Sequence, residues 1–267
     1  MWINRTEIEQ RAQQVRQEYN IQTYGVKDIF SLIEQSGIHL IRYPFGKDKL
    51  LGFAAIFEGK KVIVSNSSEI LAREIFTIAH ELGHIYFDFE DKLDIVKIDV
   101  EINENSEEIS EARAFHFASC LLMPEEQVRK YIKFELKKNP QEIEELDVVR
   151  MQLEFQVSFS AITVRLAELG FIDSAQKNML FDRRDTLTSR ALFKKLDADE
   201  RLLRPSNVVE VPPSYLEYVI SNYRKGYIPY ASLEKAFTLI GMDPEIFKKE
   251  TSNEQEPDLE EIFKEFD

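Results

Sequence analysis

The sequence predicts an α+β fold: a small antiparallel or mixed sheet packed on a helix that carries His80-Glu81-Leu82-Gly83-His84, followed by helices alone. Three observations predict it. Three short extended runs bounded by turn residues lie within positions 38–64. An apolar stripe stepping by four and three residues (Leu71, Ile75, Ile78, Leu82, Ile85) runs through the histidine pair. Beyond residue 107 the patterning is helical, punctuated by Gly and Pro.

A chain of 267 residues with 43% hydrophobic and 31% charged content can bury a full core and reads as an ordinary soluble protein. The N-terminus turns polar at once, so no signal peptide is expected, and no apolar run is long enough to cross a bilayer. One cysteine, Cys120, excludes an internal disulfide and fits a reducing cytoplasm; its expected role is that of a small buried apolar residue. The formal net charge of −14 repels phosphate backbones. Direct nucleic-acid binding would need a local basic patch, and none stands out; the surplus acid favours a basic protein partner.

In chain order, Ile8, Ala12, Val15 and Tyr19 predict a first helix over 6–20, and Val26 to Gln35 a second, stopped by Gly37. Strands are predicted at Ile38–Tyr43, Leu51–Phe57 and Lys61–Val64. Pro44-Phe45-Gly46 and Glu58-Gly59-Lys60 are the turns between them, the last two strands forming a hairpin. Asn66, Ser67 and Ser68 offer caps for the helix that follows, and Glu69 and Glu74 suit its early turns. Asp88 to Glu111 is a strongly acidic run, read as a solvated loop with one short strand; the functional alternative is a loop that edges the active-site cleft and selects basic substrates.

The histidine pair carries the chemistry. Two histidines four apart on a helix stand one turn above each other and can reach one metal ion. Zinc favours neutral imidazole, and Glu81, beside the pair, can take a proton from water on the metal. A catalytic zinc usually takes a third protein ligand. No histidine stands six residues past His84, where the chain has Glu90, so a carboxylate from a second helix is expected. The run Glu107–Leu122 supplies that helix, with Ile109, Ala112, Phe115, Ser119 and Leu122 on one side. Glu111, Ala114, Ala118 and Leu121 form a neighbouring line of mostly small residues. Spacing alone leaves Glu107, Glu108 and Glu111 open.

Phe76-Thr77-Ile78-Ala79-His80-Glu81-Leu82-Gly83-His84 and Glu111-Ala112-Arg113-Ala114-Phe115-His116-Phe117-Ala118-Ser119-Cys120-Leu121-Leu122-Met123-Pro124 together resemble the ImmA/IrrE family of zinc metallo-endopeptidases. The resemblance implies a gluzincin-like site, with His80, His84 and Glu111 as zinc ligands and Glu81 as the catalytic base. It further implies that the substrate is a helix-turn-helix repressor whose cleavage derepresses genes, as is common on mobile elements. The chain departs at Arg113 and Phe115, where many members carry Glu and Asn. His116 lies five residues after Glu111, about 140° around the helix, so a packing or hydrogen-bonding role is expected for it.

The expected organisation is a metallopeptidase domain over 1–138, a helix-turn-helix-like segment over 139–172, a linker or loosely packed region over 173–204, a helical docking module over 205–250 and an acidic tail over 251–267. Within the second segment, Glu142–Phe155 and Phe159–Leu169 form the helix pair, where only Arg165 is offered to DNA. The alternative function is a non-catalytic regulator that binds a repressor, an antitoxin or DNA and retains the metal site.

Overall fold

The computed structural model describes residues 4–47, 49–57, 59–89, 95–99, 108–186 and 189–245. The chain divides into two compact units, one ending at Glu210 and the other beginning at Val211. Much of the acidic run, including Glu90 and Glu107, lies outside the described residues, as does the tail at 251–267.

The first unit opens with α1 (Arg5–Glu18), capped by the Asn4 side chain, which buries Ile8, Ala12 and Val15 along one face. Asp28 accepts from the Ser31 backbone N–H and caps α2 (Ile29–Gln35), so this helix begins three residues later than its apolar pattern suggests. Three strands follow: β1 (His39–Tyr43), β2 (Gly52–Phe57) and β3 (Lys60–Asn66). β2 and β3 form the expected hairpin, with Phe57 opposite Lys60, and β1 lies parallel to β3. Next comes α3 (Leu71–Phe87), and then β4 (Ile95–Asp99), antiparallel to β2. The sheet is therefore mixed, in the order β1-β3-β2-β4.

α4 (Ile109–Leu122) packs along α3 and α1. Ala114, Ala118 and Leu121 of the small-residue line are buried together with Phe117, and of the other line Ser119 and Leu122 are buried while Ile109 is exposed. α5 (Glu125–Tyr131) runs into a π-helical turn at Ile132–Leu136, and Lys137 ends it with φ of 53°. α6 (Glu145–Phe155) and α7 (Phe159–Glu168) are joined through Gln156, at φ of 57°, with Ser158 capping α7.

The described residues of 173–204 are helical and packed rather than a linker or a loose region. They form α8 (Ser174–Thr186), α9 (Ser189–Lys195) and a 3-10 turn at Glu200–Leu203. Leu180, Leu192, Phe193 and Leu202 are all buried in the main core, and these few apolar residues set the packing of an otherwise charged stretch. The second unit is a helical hairpin, α10 (Pro213–Arg224) and α11 (Tyr230–Leu239), with its own core of Leu216, Ile220, Leu233 and Phe237. No helix among the described residues is long and apolar enough to cross a membrane.

The start of α3 is held by distant residues, not by the expected caps. No side chain caps it; the Leu71 N–H donates to the Arg204 carbonyl at 3.0 Å. Asn66 instead organises the turn before it, accepting from the Phe45 and Ser68 N–H groups and donating to the Gly46 and Leu50 carbonyls. Ser67 Oγ donates to the Val208 carbonyl. Arg42 and Glu210 exchange both backbone hydrogen bonds at 2.9 Å, so the strap at 204–210 runs beside β1 and over the head of α3.

Candidate metal centre

α3 is the central helix of the unit. Its apolar stripe is buried, and so is the line bearing the histidines: His80 is 1% exposed, Glu81 and His84 0%. Packing on every side by β2, β3, α2 and α4 leaves few rotamers open to these side chains. His80 Nε2 and His84 Nε2 stand 3.0 Å apart. From α4, Glu111 places Oε2 3.1 Å from His80 Nε2 and Oε1 3.4 Å from His84 Nε2.

The close approach of α3 and α4 makes this convergence possible, and it occurs at Gly83. A Cβ added there would lie 3.0 Å from Ala114 Cα and 3.3 Å from Ala114 Cβ. Two small residues thus let the backbones meet one turn from Glu111. Gly83→Ala is expected to cost about 1–3 kcal/mol by overpacking, measured as a lower midpoint of denaturant unfolding. An unchanged midpoint would mean that the helices separate freely.

Of the three glutamates that spacing left open, only Glu111 is turned to the histidines among the described residues. Glu108 stands at the exposed start of α4 without capping it through its side chain, and Glu107 lies outside the described residues. Glu81 faces β2. A Cβ on Gly52 would meet Thr77 Cγ2 at 2.6 Å and Glu81 Oε1 at 3.4 Å, so a bare backbone at position 52 makes room for the carboxylate.

Three further residues support the cluster, and sequence reasoning passed over them or left them unexplained. His84 Nδ1 lies 2.6 Å from Asp88 Oδ2. A carboxylate only accepts, so Nδ1 carries the proton and Nε2 presents its lone pair toward His80 and Glu111. Arg113 donates to the other Asp88 oxygen. Burial alone would raise the Asp88 carboxyl, but His84 and then Arg113 outweigh it and hold Asp88 below its ordinary range. Asp88 was legible in principle, since it follows His84 by four residues on the same face, yet the acidic run around it suggested a solvated loop. Arg113, one of the two departures named above, is thereby paired with Asp88. The other departure, Phe115, packs on Phe76 with ring centroids 5.2 Å apart.

The donor set fits a metal ion. Two buried imidazole nitrogens and a half-buried carboxylate, facing one another at 3.0–3.4 Å, approach the roughly 3.3–3.4 Å that tetrahedral zinc imposes between N and O ligands. A family model described as Peptidase_M78, IrrE N-terminal-like domain, matches residues 33–167, just over half of the chain. The curated proteins gave no match.

Proposed function

Because the chain belongs to the Peptidase_M78 family of IrrE N-terminal-like domains, and membership implies a metallopeptidase, we propose that it is a gluzincin-like zinc endopeptidase acting on a protein substrate. The observation that carries this reading is the convergence of His80, His84 and Glu111 beside a buried Glu81. The three would hold Zn2+, which when bound supplies Lewis acidity to the scissile carbonyl and lowers the pKa of water. Glu81 takes a proton from the attacking water and passes it to the amide nitrogen as the C–N bond breaks, so the products are a carboxylate and an amine. Asp88 fixes the His84 ring and raises the basicity of Nε2. Asp88→Asn is therefore expected to weaken zinc binding about 10- to 100-fold, read by competition against a chelator of known affinity. Unchanged affinity would make Asp88 a structural cap only.

The proposed substrate is a helix-turn-helix repressor, whose cleavage would derepress its genes. The net charge of −14 favours a basic partner of that kind. A bare zinc cleft discriminates poorly between peptide bonds, so selection depends on docking away from the site, and the α10–α11 hairpin is the docking element we propose. The alternative, a DNA-binding regulator, is weakened by Arg165. Its guanidinium is buried and spent on the Met123 carbonyl, Cys120 Sγ and Glu168.

The test is to incubate the full chain with the repressor encoded beside its own gene, with and without chelator. Cleavage at a defined bond, lost on chelation and restored by zinc, is expected. Cleavage that survives chelation would overturn the metal mechanism. Absence of cleavage together with steeply salt-dependent DNA affinity would favour the regulator.

A further inference from the structure

α4 carries a second set of ligand-type side chains, on a different line from Glu111. His116 and Cys120 stand one helical turn apart, and α1 lays Glu9 beside them. His116 Nε2 is 3.6 Å from Cys120 Sγ and 3.6 Å from Glu9 Oε1, and the three ligand atoms all lie within 4.8 Å of one another.

The His116–Glu9 separation is the informative one, since 3.6 Å between an imidazole nitrogen and sulfur is also an ordinary S–H···N contact. An imidazole-to-carboxylate hydrogen bond closes to about 2.7–3.0 Å, so 3.6 Å is too long to be one. Ligands of a tetrahedral zinc-type ion, with metal–sulfur bonds of about 2.3 Å and metal–nitrogen or metal–oxygen bonds of about 2.0–2.2 Å, are held roughly 3.3–3.6 Å apart. The two separations to His116 therefore match two edges of a coordination triangle, and the third, from Glu9 to Cys120, is within 4.8 Å.

The chemistry agrees with the spacing. Burial, then Arg165 and Arg5, push the His116 pKa down to about 4, so its ring is neutral near pH 7 and presents a lone pair without first losing a proton. Burial pushes the Cys120 thiol up to about 11, against the pull of Arg165, so it is no nucleophile on its own. A divalent cation displaces such a proton outright. Arg165 Nη2, 3.5 Å from Sγ, is placed to donate to the resulting thiolate, and its charge is shared with Glu168. A cleft of about 340 Å³ lined by Glu9, Gln13, Cys120 and Arg165 gives an ion a way in. The Glu9 side chain, 58% exposed, is free to swing onto it.

We propose that Glu9, His116 and Cys120 form a second binding site for a zinc-type divalent transition metal, its fourth position facing the cleft. On binding, the sulfur–metal bond forms as the Cys120 proton leaves to solvent. The ion would clamp α1 to α4, the helix that presents Glu111. The inference does not depend on the peptidase reading, because none of its three residues belongs to the His80–His84–Glu111 cluster.

Cobalt tests it, because Cys120 is the chain's one cysteine and a sulfur-to-cobalt charge-transfer band can arise nowhere else. The full chain carrying His80→Ala and His84→Ala, titrated with Co2+, is expected to bind one equivalent and develop that near-ultraviolet band. Zn2+ should displace it, and Cys120→Ser should abolish it. If the double variant fails to fold, the unsubstituted chain loaded with Co2+ decides the matter. Two equivalents with the band support the second site, and saturation without the band overturns it.

Discussion

Glu81→Gln is expected to lower the rate of peptide hydrolysis about 10²- to 10⁴-fold while leaving the bound metal in place. Glutamine keeps the shape of glutamate and fits the space that Gly52 leaves open, so α3 and its histidines have no cause to move. It removes only the capacity to accept and return a proton. The buried setting sharpens the effect, since bulk water does not reach the 0%-exposed side chain as a substitute base. Metal analysis and initial rates on the same preparation separate the possibilities. Full activity would remove Glu81 from the chemistry, and joint loss of metal and activity would make its role structural.

Glu74→Ala is expected to destabilise the first unit by about 3–5 kcal/mol, a fall in melting temperature on the order of 10 °C. Glu74 lies in the first turn of α3 and is buried, with the buried Arg42 of β1 forked across it at 2.8 and 3.0 Å. Ser65 and Ser206 donate to the same carboxylate. Arg42 also contacts Glu210 at 3.1 Å and stacks 3.8 Å from the Phe30 ring centroid. Truncating the acid strands a guanidinium whose remaining carboxylate partner is partly exposed. Replacing both members by apolar residues of similar size, Arg42→Met with Glu74→Leu, should cost far less. A single substitution that leaves unfolding unchanged would show that the network does not anchor the helix.

The contrast between these residues explains what could be read ahead of the structure. His80, Glu81 and His84 were legible because their relation is local: one helical period decides it, and the apolar stripe reports the helix. Glu111 needed a contact across thirty-one residues, so spacing narrowed it to three acids and no further. The small line Glu111, Ala114, Ala118, Leu121 did indicate where a helix could approach, and Gly83 is what approaches. Glu74 suggested a favourable charge at a helix start, while its partner Arg42, thirty-two residues earlier, was invisible to any periodic rule. Residues 173–204 were misread because short helices bury only one or two apolar residues each, too few to raise a pattern above their charged neighbours. Cys120 is buried in the core and His116 contacts it, as expected; what no periodic rule could show is Glu9, which α1 brings beside them.

The strap at 204–210 bears on what the smallest working unit can be. An excised fragment covering only the family-matched stretch would lack the acceptor for the Leu71 amide and the serine and glutamate that complete the Arg42 network. Such a fragment would keep His80, His84 and Glu111 yet let the leading turn of α3 fray. Trimming the chain past α9 is thus a route to silencing the site from a distance, without touching any of its clustered side chains.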